Sequence, residues 1–416
     1  MNKNNLKKIA IYHNVTSGGT KREIFEFTNR FRQNNYTIHL YCHYDEKETY
    51  LELTKLVHET YVFPIKFIQK ITFTLPLFKS LINYIIDIIN IKKLERVSKN
   101  MAYLIDKGNY EFVFVHHNKD YVQSPFILRY LETKSIYFCA EPFRKFYEKG
   151  ISSEIELNNQ KTGLINIYTM LTDIIDKPCR KSINNRIKRY DYENIQKSNL
   201  ILTNSYFSRE NILAAYGLNS KVVHLGGDSF QNIHQSHKFH KQNTIISIGA
   251  INGLKGYDFI IKSLGTIKTN SRPNFIVVGN GAKKTYVKNL QYLANKLGVV
   301  LNIFENVADE KLCDLIQKST LFVYAPHLEP FGLAPLEAMS FGLPVVAVKE
   351  GGPRESIVDG FNGFLEERNP TSFGEKINLL LQDSSLKDNL SKGAIKSISS
   401  YWNWDMAFQR LLLAIK

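Results

Sequence analysis

Two glutamates stand in a segment that is otherwise apolar and rich in glycine and proline. Glu329 lies in a loop after an apolar run, and Glu337 follows eight residues later, inside the helix that this loop is predicted to open. Phe331, Gly332 and Leu333 mark the start of that helix, where free backbone N–H groups and the helix dipole favour a phosphate or a polar sugar. Glu329 can accept hydrogen bonds from sugar hydroxyls, and Glu337 can bind both hydroxyls of a ribose. The spacing therefore indicates recognition of a phosphorylated sugar.

The segment 329–345, EPFGLAPLEAMSFGLPV, resembles the signature of the family 4 glycosyltransferases. These are retaining enzymes of the GT-B fold, and their signature places seven residues between two glutamates. The resemblance continues through GGPRE at 351–355 and DGFNGFL at 359–365. It implies that Glu329 contacts the donor sugar and that Glu337 contacts the nucleotide ribose. The alternative for Glu337 is an ordinary surface position, but the apolar residues on both sides of it argue against a solvated face.

A lysine upstream completes the predicted donor site. The segment 249–256, GAINGLKG, sits where the family has a glycine, an arginine and then a lysine before a glycine. The resemblance assigns Lys255 to the donor diphosphate and a catalytic role. Ala250 stands in place of the family's arginine, and Arg144 and Arg354 are candidates to replace that charge. The alternative for Lys255 is a solvated lysine before a helix, which is the usual environment of a lysine.

The first half of the chain contributes a glycine pair and a histidine. Gly18 and Gly19 follow the first predicted strand and resemble the family's glycine loop, whose amides face the donor phosphates; a plain strand-to-helix turn is compatible with this. His116 ends a strand that resembles the family's D-V-x-H-x-H segment, which implies a catalytic position near the donor sugar. A buried, hydrogen-bonded structural histidine is an equally good interpretation. Glu141 and Arg144 resemble an acceptor-side motif of one subgroup.

Continuous apolar strands alternate with helices in both halves, which is typical of parallel sheets covered on both faces. With the resemblance, this predicts an α/β protein of the GT-B fold, with two Rossmann-like domains whose parallel sheets face each other across a cleft. Strands are predicted at 7–12, 38–42, 112–115, 135–139 and 200–205, and again at 244–249, 275–279, 299–304, 321–325 and 345–348. Helices are predicted at 21–33, 122–131, 256–267, 282–297, 310–318 and 335–341.

A polar stretch poor in aliphatic residues divides the chain. We predict an interdomain linker at 227–241, an acceptor-side domain at 1–226 and a nucleotide-sugar-binding domain at 242–400. The terminal helix, 401–416, resembles the family's last helix, which returns to the first domain. A chain of 416 residues is long enough for two domains that each bury a core.

The charge balance indicates an anionic partner. Lys and Arg number 54 against 39 Asp and Glu, a formal net charge of +15 that suits nucleic acid, an acidic bilayer or phosphorylated substrates. Within 63–93, lysines flank aromatic residues and isoleucines; we expect anionic membrane contact at 63–79 and a packed helix at 81–91. The four cysteines lie far apart without a CxxC pair, which favours a reducing compartment. We expect a cytoplasmic protein, with peripheral contact at the inner face of the plasma membrane as a further hypothesis.

These observations predict a retaining, metal-independent hexosyltransferase of surface polysaccharide or lipopolysaccharide-type biosynthesis. It would move a hexose from a UDP or GDP sugar to a glycan or lipid-linked glycan, with no cofactor and no metal. The alternatives are a nucleotide-sugar epimerase or another GT-B enzyme, a non-catalytic scaffold, and a basic nucleic-acid-binding protein. The chain shows no interleaved aromatic and basic motif of the known nucleic-acid-binding modules, so we expect no nucleic-acid partner.

Overall fold

The computed structural model describes residues 7–43, 50–72, 76–148, 167–230 and 243–416. These residues form two compact units. Most of the predicted linker lies outside the described residues, and the predicted domain bounds stay a prediction. The first unit consists of described residues within Met1–Thr203, Arg209–Val222 and Ala414–Lys416, and the second of those within Asn204–Ser208 and Val223–Leu413.

The first unit is built on a parallel sheet with the strand order β3-β2-β1-β4-β5-β6-β7. Its central strands are continuous apolar runs: the side chains from 9 to 12 and from 113 to 115 are almost completely buried. Burial on both faces explains why these strands do not alternate between apolar and polar residues. The strands are β1, Lys8–His13; β2, Thr37–Cys42; β3, Glu59–Val62; β4, Phe112–His116; β5, Ser135–Phe138; β6, Leu200–Thr203; and β7, Lys221–Val222.

Helix α1, Gly19–Gln33, packs its apolar stripe against this sheet. The rings of Phe27 and Phe31 lie 6.2 and 6.0 Å from the ring of Phe114 on β4. A four-residue spacing places these two rings on the same helix face. The helices that follow are α2, Pro76–Asp106; α3, Arg144–Tyr147; α4, Ile167–Ile195; and α5, Tyr206–Tyr216.

The helix predicted at 122–131 is wrong. The structure has only a 3₁₀ turn there, Phe126–Arg129, preceded by Pro125 in an extended conformation. A proline disfavours helical backbone at the residue before it, which opposes a helix through this point. Phe126, Ile127 and Leu128 are all buried, so this segment fills the core on every side instead of presenting one apolar stripe.

The second unit contains a parallel sheet with the strand order β10-β9-β8-β11-β12-β13. The order reverses between β8 and β11, as it does between β1 and β4 in the first unit. Ligands of such sheets bind beyond the carboxyl ends of the strands at this switch point. The strands are β8, Thr244–Ile248; β9, Asn274–Gly279; β10, Leu301–Glu305; β11, Leu321–Tyr324; β12, Val345–Val348; and β13, Gly363–Glu366.

Helices pack with this second sheet around an aliphatic and aromatic core. Among the described residues, no helix has the length and apolar character needed to span a bilayer. The helices are α6, Tyr257–Gly265; α7, Lys284–Leu297; α8, Asp309–Lys318; α9, Leu333–Ser340; α10, Pro353–Ser356; α11, Pro370–Gln382; α12, Ser384–Ser400; and α13, Trp404–Ile415. The prediction of two Rossmann-like α/β domains with parallel sheets is confirmed.

Candidate active site

Lys255 and Glu329 meet in the second unit, on the loops that follow the adjacent strands β8 and β11. Lys255 ends a 3₁₀ turn, Gly253–Lys255, in which the Asn252 side chain accepts a hydrogen bond from the backbone N–H of Leu254 at 3.0 Å. The Lys255 ammonium donates to Glu329 Oε2 at 2.7 Å. Both side chains are mostly buried, so the pair is shielded from solvent more than an ordinary surface salt bridge. Lysine and carboxylate therefore stand together at the switch point.

Tyr257 and Tyr324 lie beside the Lys255–Glu329 pair, and neither was predicted as a site residue. Burial raises the pKa of the Tyr324 hydroxyl well above its usual value of 10, and the negative charge of Glu329 adds to that shift. The Tyr257 hydroxyl donates to the carbonyl of Gly249 at 2.9 Å, and burial raises its pKa in the same way. Tyr324 is the last residue of β11. Its position at the carboxyl end of a predicted strand could have identified it as a site residue.

The Gly351-Gly352 pair supports the Glu329 loop from behind. The Gly352 N–H donates to the Glu329 carbonyl at 2.8 Å, and a side chain on Gly351 would place its Cβ 2.3 Å from that same carbonyl oxygen. Gly351 also has φ +63°, a conformation that favours glycine. Arg354, the candidate for the missing arginine charge, donates from Nε to the Gly351 carbonyl at 3.0 Å. The GGPRE segment therefore holds the backbone that presents Glu329.

Phe331 anchors the site through its side chain. Its side chain is buried, and its ring centroid lies 6.4 Å from that of His224 and 5.9 Å from that of Trp402. The Ser205 hydroxyl donates to the carbonyl of the preceding residue, Pro330, at 2.6 Å. Only the backbone of Phe331 is then available to a donor, and its predicted donor-binding role stays a prediction.

A buried polar network extends from this anchor. His224 Nε2 lies 2.9 Å from Glu355 Oε2, and its Nδ1 lies 2.9 Å from the Tyr401 hydroxyl. The Glu355 carboxylate also accepts hydrogen bonds from the backbone N–H groups of Tyr206 and Phe207, each at 2.9 Å. These contacts lower the pKa of Glu355 although burial opposes the shift. The network fixes the imidazole against which Phe331 packs.

Glu337 points into the second unit. Its side chain is 7% exposed, which rules out the solvated surface position considered above. It lies on α9, which begins at Leu333 after Gly332, and Gly332 adopts φ +93° as the residue that caps the helix. The free amides of the first turn of α9 follow Glu329 by four residues. The ammonium comes from the loop after β8, and the carboxylate and the helix N-terminus come from the loop after β11. This combination is suited to a diphosphate joined to a polar sugar.

In the first unit, His116 ends β4, and Gly18 and Gly19 lead into α1. Gly18 has φ +87° and caps the helix that begins at Gly19. His116 is 1% exposed, and its Nδ1 lies 3.3 Å from Glu23 Oε1 on α1. Neither of these two atoms has a hydrogen-bond partner within the described part of the chain. The ring of His116 also lies against Phe114, at a centroid distance of 4.5 Å.

Burial favours the neutral form of both members of this pair. Burial raises the pKa of Glu23 well above its usual value, and burial lowers the pKa of His116 well below 6.5. A protonated carboxyl can donate to His116 Nδ1, which leaves Nε2 with its proton as a donor. Glu23 was not predicted as a site residue. Its position four residues before Phe27 and eight before Phe31 places a carboxyl group on the apolar stripe of α1, and this could have identified it.

Glu141 and Arg144, the predicted acceptor-side residues, lie close together in the first unit. Arg144 Nε donates to Glu148 Oε2 at 2.7 Å and lies 3.6 Å from Glu141 Oε2. Two carboxylates therefore surround this guanidinium, and the cluster has no excess positive charge. Its role at an acceptor stays a prediction.

The second unit matches a family of known proteins. Residues 228–397 match the model for glycosyl transferases group 1. This match supports a glycosyltransferase family. The matched segment contains Lys255, Glu329 and Glu337, so the three charged side chains of the second-unit site all belong to it.

Curated relatives are similar to this chain over only part of its length. A sucrose synthase of Melioribacter roseus is 29% identical over 198 residues, which cover 42% of this chain and 25% of the relative. The human alpha-1,3/1,6-mannosyltransferase ALG2 is 32% identical over 120 residues, covering 27% of this chain and 29% of the relative. The chain thus spans under a third of the length of these two relatives.

Solved structures extend the similarity to the whole chain at the level of fold. The crystal structure of Anabaena Alr3699/HepE in complex with UDP and glucose superposes with a TM-score of 0.66 at 16% identity. The superposition covers 98% of this chain and 99% of that one. The structural neighbours are GT-B glycosyltransferases, so the predicted GT-B fold class is confirmed.

Proposed function

We propose that the chain is a retaining hexosyltransferase that uses a UDP or GDP sugar as donor. The Lys255–Glu329 ion pair at the switch point, four residues ahead of the amides of α9, is the observation that carries this proposal. It joins a cation for phosphate from the loop after β8 to a carboxylate for sugar hydroxyls and a helix N-terminus from the loop after β11. The matched family and the Anabaena protein crystallised with UDP and glucose support the same class of donor.

The groups of the second unit act on the leaving diphosphate and the sugar. A nucleotide sugar already carries a good leaving group, so the protein must stabilise the charge that develops as the bond breaks. Lys255 and the first amides of α9, at Gly332 and Leu333, stabilise the departing phosphate oxygens. Glu329 accepts hydrogen bonds from sugar hydroxyls, and Glu337 binds the ribose diol.

We assign the groups of the first unit to the donor phosphates, the sugar and the acceptor. The Gly18 and Gly19 amides contact phosphate, and His116 donates from Nε2 to a sugar oxygen while Glu23 lies 3.3 Å from its Nδ1. Glu141 and Arg144 lie on the acceptor side. The acceptor oxygen bonds to the sugar carbon on the face from which the diphosphate leaves, and its proton passes to a departing phosphate oxygen, so the configuration is retained.

The acceptor, the cellular location and the need for a metal complete the proposed reaction. The acceptor is a glycan or lipid-linked glycan of surface polysaccharide or lipopolysaccharide-type biosynthesis, and the protein works in the cytoplasm at the inner face of the plasma membrane. Catalysis needs neither metal nor cofactor, since Lys255 and the α9 amides supply the positive charge.

A nucleotide screen tests the proposal. UDP, GDP and their hexose derivatives are added to the full chain, and the melting temperature is recorded with and without EDTA. A ligand at a hundred times its dissociation constant stabilises the folded state by about 2.7 kcal/mol, which is readily measured. We expect one nucleotide diphosphate series to stabilise the chain and its sugar to be slowly hydrolysed.

The Glu329→Gln variant is the matched test of the site, with Glu375→Gln, an exposed position of α11, as the control. Hydrolysis that survives in the first variant, or the absence of stabilisation by any nucleotide diphosphate, contradicts the proposal. Loss of activity in EDTA contradicts the metal-independent mechanism alone.

A further inference from the structure

Two asparagines of the first half of α2 bind the backbone of the chain that precedes the helix. The Asn90 side chain accepts from the Ile68 N–H and donates to its carbonyl, both at 2.9 Å. Asn83 makes the same pair of bonds to Ile71, at 2.8 and 3.2 Å. Each asparagine amide thus makes the two hydrogen bonds that a neighbouring strand would make. These bonds hold the segment that contains Ile68 and Ile71 along one side of the helix. The polar side of α2 is therefore turned toward the protein.

An apolar line remains on the outside of the helix. Phe78, Leu81, Ile85 and Ile89 are 60%, 47%, 47% and 38% exposed. Their spacing of three, four and four residues places them on one face. Ile86 and Ile91 are buried, in agreement with the packed helix expected at 81–91, while this line on the same helix is exposed. Membrane contact at 63–79 stays a prediction.

The segment before the helix is held against the protein by its own aromatic residue. The Phe67 ring lies 5.6 Å from the ring of Tyr121 and packs on a buried cluster. Phe67 is thus partly buried and held against the protein, and Phe73 lies outside the described residues. The exposed apolar line belongs to α2.

The apolar line continues into a basic one. Lys92, Arg96 and Lys99 are exposed and follow Ile89 at spacings of three, four and three residues, which keeps them on the same face. At about 1.5 Å per residue, the apolar part is roughly 16 Å long and the basic part roughly 10 Å long. We call these seven residues, from Phe78 to Lys99, the α2 line. It combines side chains that enter the acyl boundary with charges that attract anionic headgroups.

The geometry points to docking of the α2 line on an anionic lipid surface, with the helix lying in the plane of the interface. The charge of +15 on the whole chain adds a general attraction to the same surface. A protein partner or a second copy would bury the apolar half but would not by itself account for the three cations in line with it. The docking does not depend on the identity of the donor or acceptor, so it can hold even where the proposed reaction is wrong.

Vesicle co-sedimentation of the full chain tests this inference. One set of vesicles contains phosphatidylcholine alone, and the other adds phosphatidylglycerol. We expect binding to the anionic vesicles that weakens with salt. The variant Leu81→Gln/Ile85→Gln/Ile89→Gln keeps helix propensity and should bind at least about tenfold more weakly. The variant Lys92→Glu/Arg96→Glu/Lys99→Glu should lose the preference for anionic lipid.

Matched controls come from the second unit. Leu379→Gln/Ile395→Gln replaces exposed apolar residues of α11 and α12, and Lys392→Glu/Lys396→Glu reverses exposed charges on α12. Both should bind vesicles as the unaltered chain does. Equal binding by the glutamine variant of the α2 line, or equal binding to both kinds of vesicle, overturns the proposal. The proposal is also overturned if the unaltered chain binds no vesicles and is a dimer in light scattering, and if the glutamine variant of the α2 line is a monomer.

Discussion

The Lys255 ammonium and the Glu329 carboxylate lie 2.7 Å apart, so each satisfies the charge of the other before any donor binds. A diphosphate would compete with Glu329 for the ammonium and would leave the carboxylate free to accept hydrogen bonds from a sugar. The pair thereby links phosphate binding to sugar binding. The pairing also avoids the unfavourable free energy of an unpaired, largely buried charge in the site.

Removal of the lysine should be more harmful than removal of both charges. Lys255→Met leaves Glu329 without its cation, and we expect the free energy of unfolding to fall by about 1–3 kcal/mol, less than for a fully buried pair because both side chains keep some exposure. Donor affinity should fall at least about tenfold, the loss of one charge-assisted hydrogen bond. Urea unfolding and calorimetric titration measure the two effects.

The double variant Lys255→Met/Glu329→Gln is the control for this prediction. It should recover stability toward the unaltered chain, since no unpaired charge remains, but it should not recover donor affinity. Additive effects of the two single changes on stability would show that the ion pair does not form in solution.

Glu337 should recognise the ribose hydroxyls. Because the carboxylate is buried on α9, we expect Glu337→Gln to weaken UDP or GDP binding about tenfold to a hundredfold, the range for lost hydrogen bonds to a charged group. The unaltered chain should discriminate the nucleotide from its 2′,3′-dideoxy analogue, and the variant should discriminate much less. Titration calorimetry with both ligands measures this difference, and equal discrimination by the two proteins would exclude a ribose contact.

Gly351 should be needed for the position of Glu329. A Cβ at Gly351 would lie 2.3 Å from the Glu329 carbonyl oxygen, whereas a Cβ at Gly360 meets nothing within 4 Å. Both glycines have positive φ, at +63° and +74°, so alanine at either position carries a similar backbone strain of roughly 1–2 kcal/mol. We expect Gly351→Ala to lose donor binding and Gly360→Ala to keep it, as measured by calorimetry on folded samples. The same loss in both variants would attribute the effect to strain alone.

The sequence predicted the central strands of both sheets and missed strands at the sheet edges, among them β3 and β7. The expected bounds of β12, 345–348, agree with the structure at both ends, because a continuous apolar run is the direct result of burial between helices. The edge strand β3, Glu59–Val62, has four exposed residues, and β7 has only two residues. Such short or exposed strands depend on their neighbours, which a single sequence does not reveal.

Residue type and spacing predicted the site only where chemistry limits the choice. The Glu329 side chain could be assigned because a carboxylate suits sugar hydroxyls, whereas Lys255 was assigned through the family resemblance. The structure pairs the two side chains. Phe331 was placed in the same site, yet its side chain is an anchor beneath it. An aromatic ring beside a glycine fits either environment. Tyr324 and Glu23 were missed because their neighbours come from other strands and helices.

Glu23 should act through His116. If the neutral carboxyl holds His116 Nδ1, Glu23→Gln alters the tautomer or tilt of the imidazole, and we expect kcat to fall about tenfold with little change in KM, the scale of one lost hydrogen bond. Nitrogen-15 chemical shifts of His116 report the tautomer directly. Glu26→Gln is the control, because Glu26 is also buried on α1 but pairs with Arg30 at 2.7 Å. An unchanged His116 spectrum in the Glu23 variant would contradict this role.

Acid should destabilise the chain through buried histidines of the first unit, and His43 gives the most quantitative case. Burial lowers the pKa of His43 from 6.5 to about 4, and its Nε2 lies 2.9 Å from the Tyr12 hydroxyl. The unfolded chain takes up a proton near pH 6.5 and the folded chain only near 4, so this stability is present above pH 6.5 and is lost as the pH falls toward 4. Between pH 7 and pH 5, the loss from this one group is about 2 kcal/mol.

Removal of the imidazole should remove that share of the pH dependence. His43→Gln keeps a group that can bind the Tyr12 hydroxyl, so its free energy of unfolding should fall about 2 kcal/mol less than that of the unaltered chain between pH 7 and pH 5. Urea unfolding followed by circular dichroism at the two pH values measures the difference. His58→Gln, which removes an exposed histidine of the same unit, is the control. A pH dependence in His43→Gln equal to that of the unaltered chain would mean that His43 is already protonated when folded at pH 5.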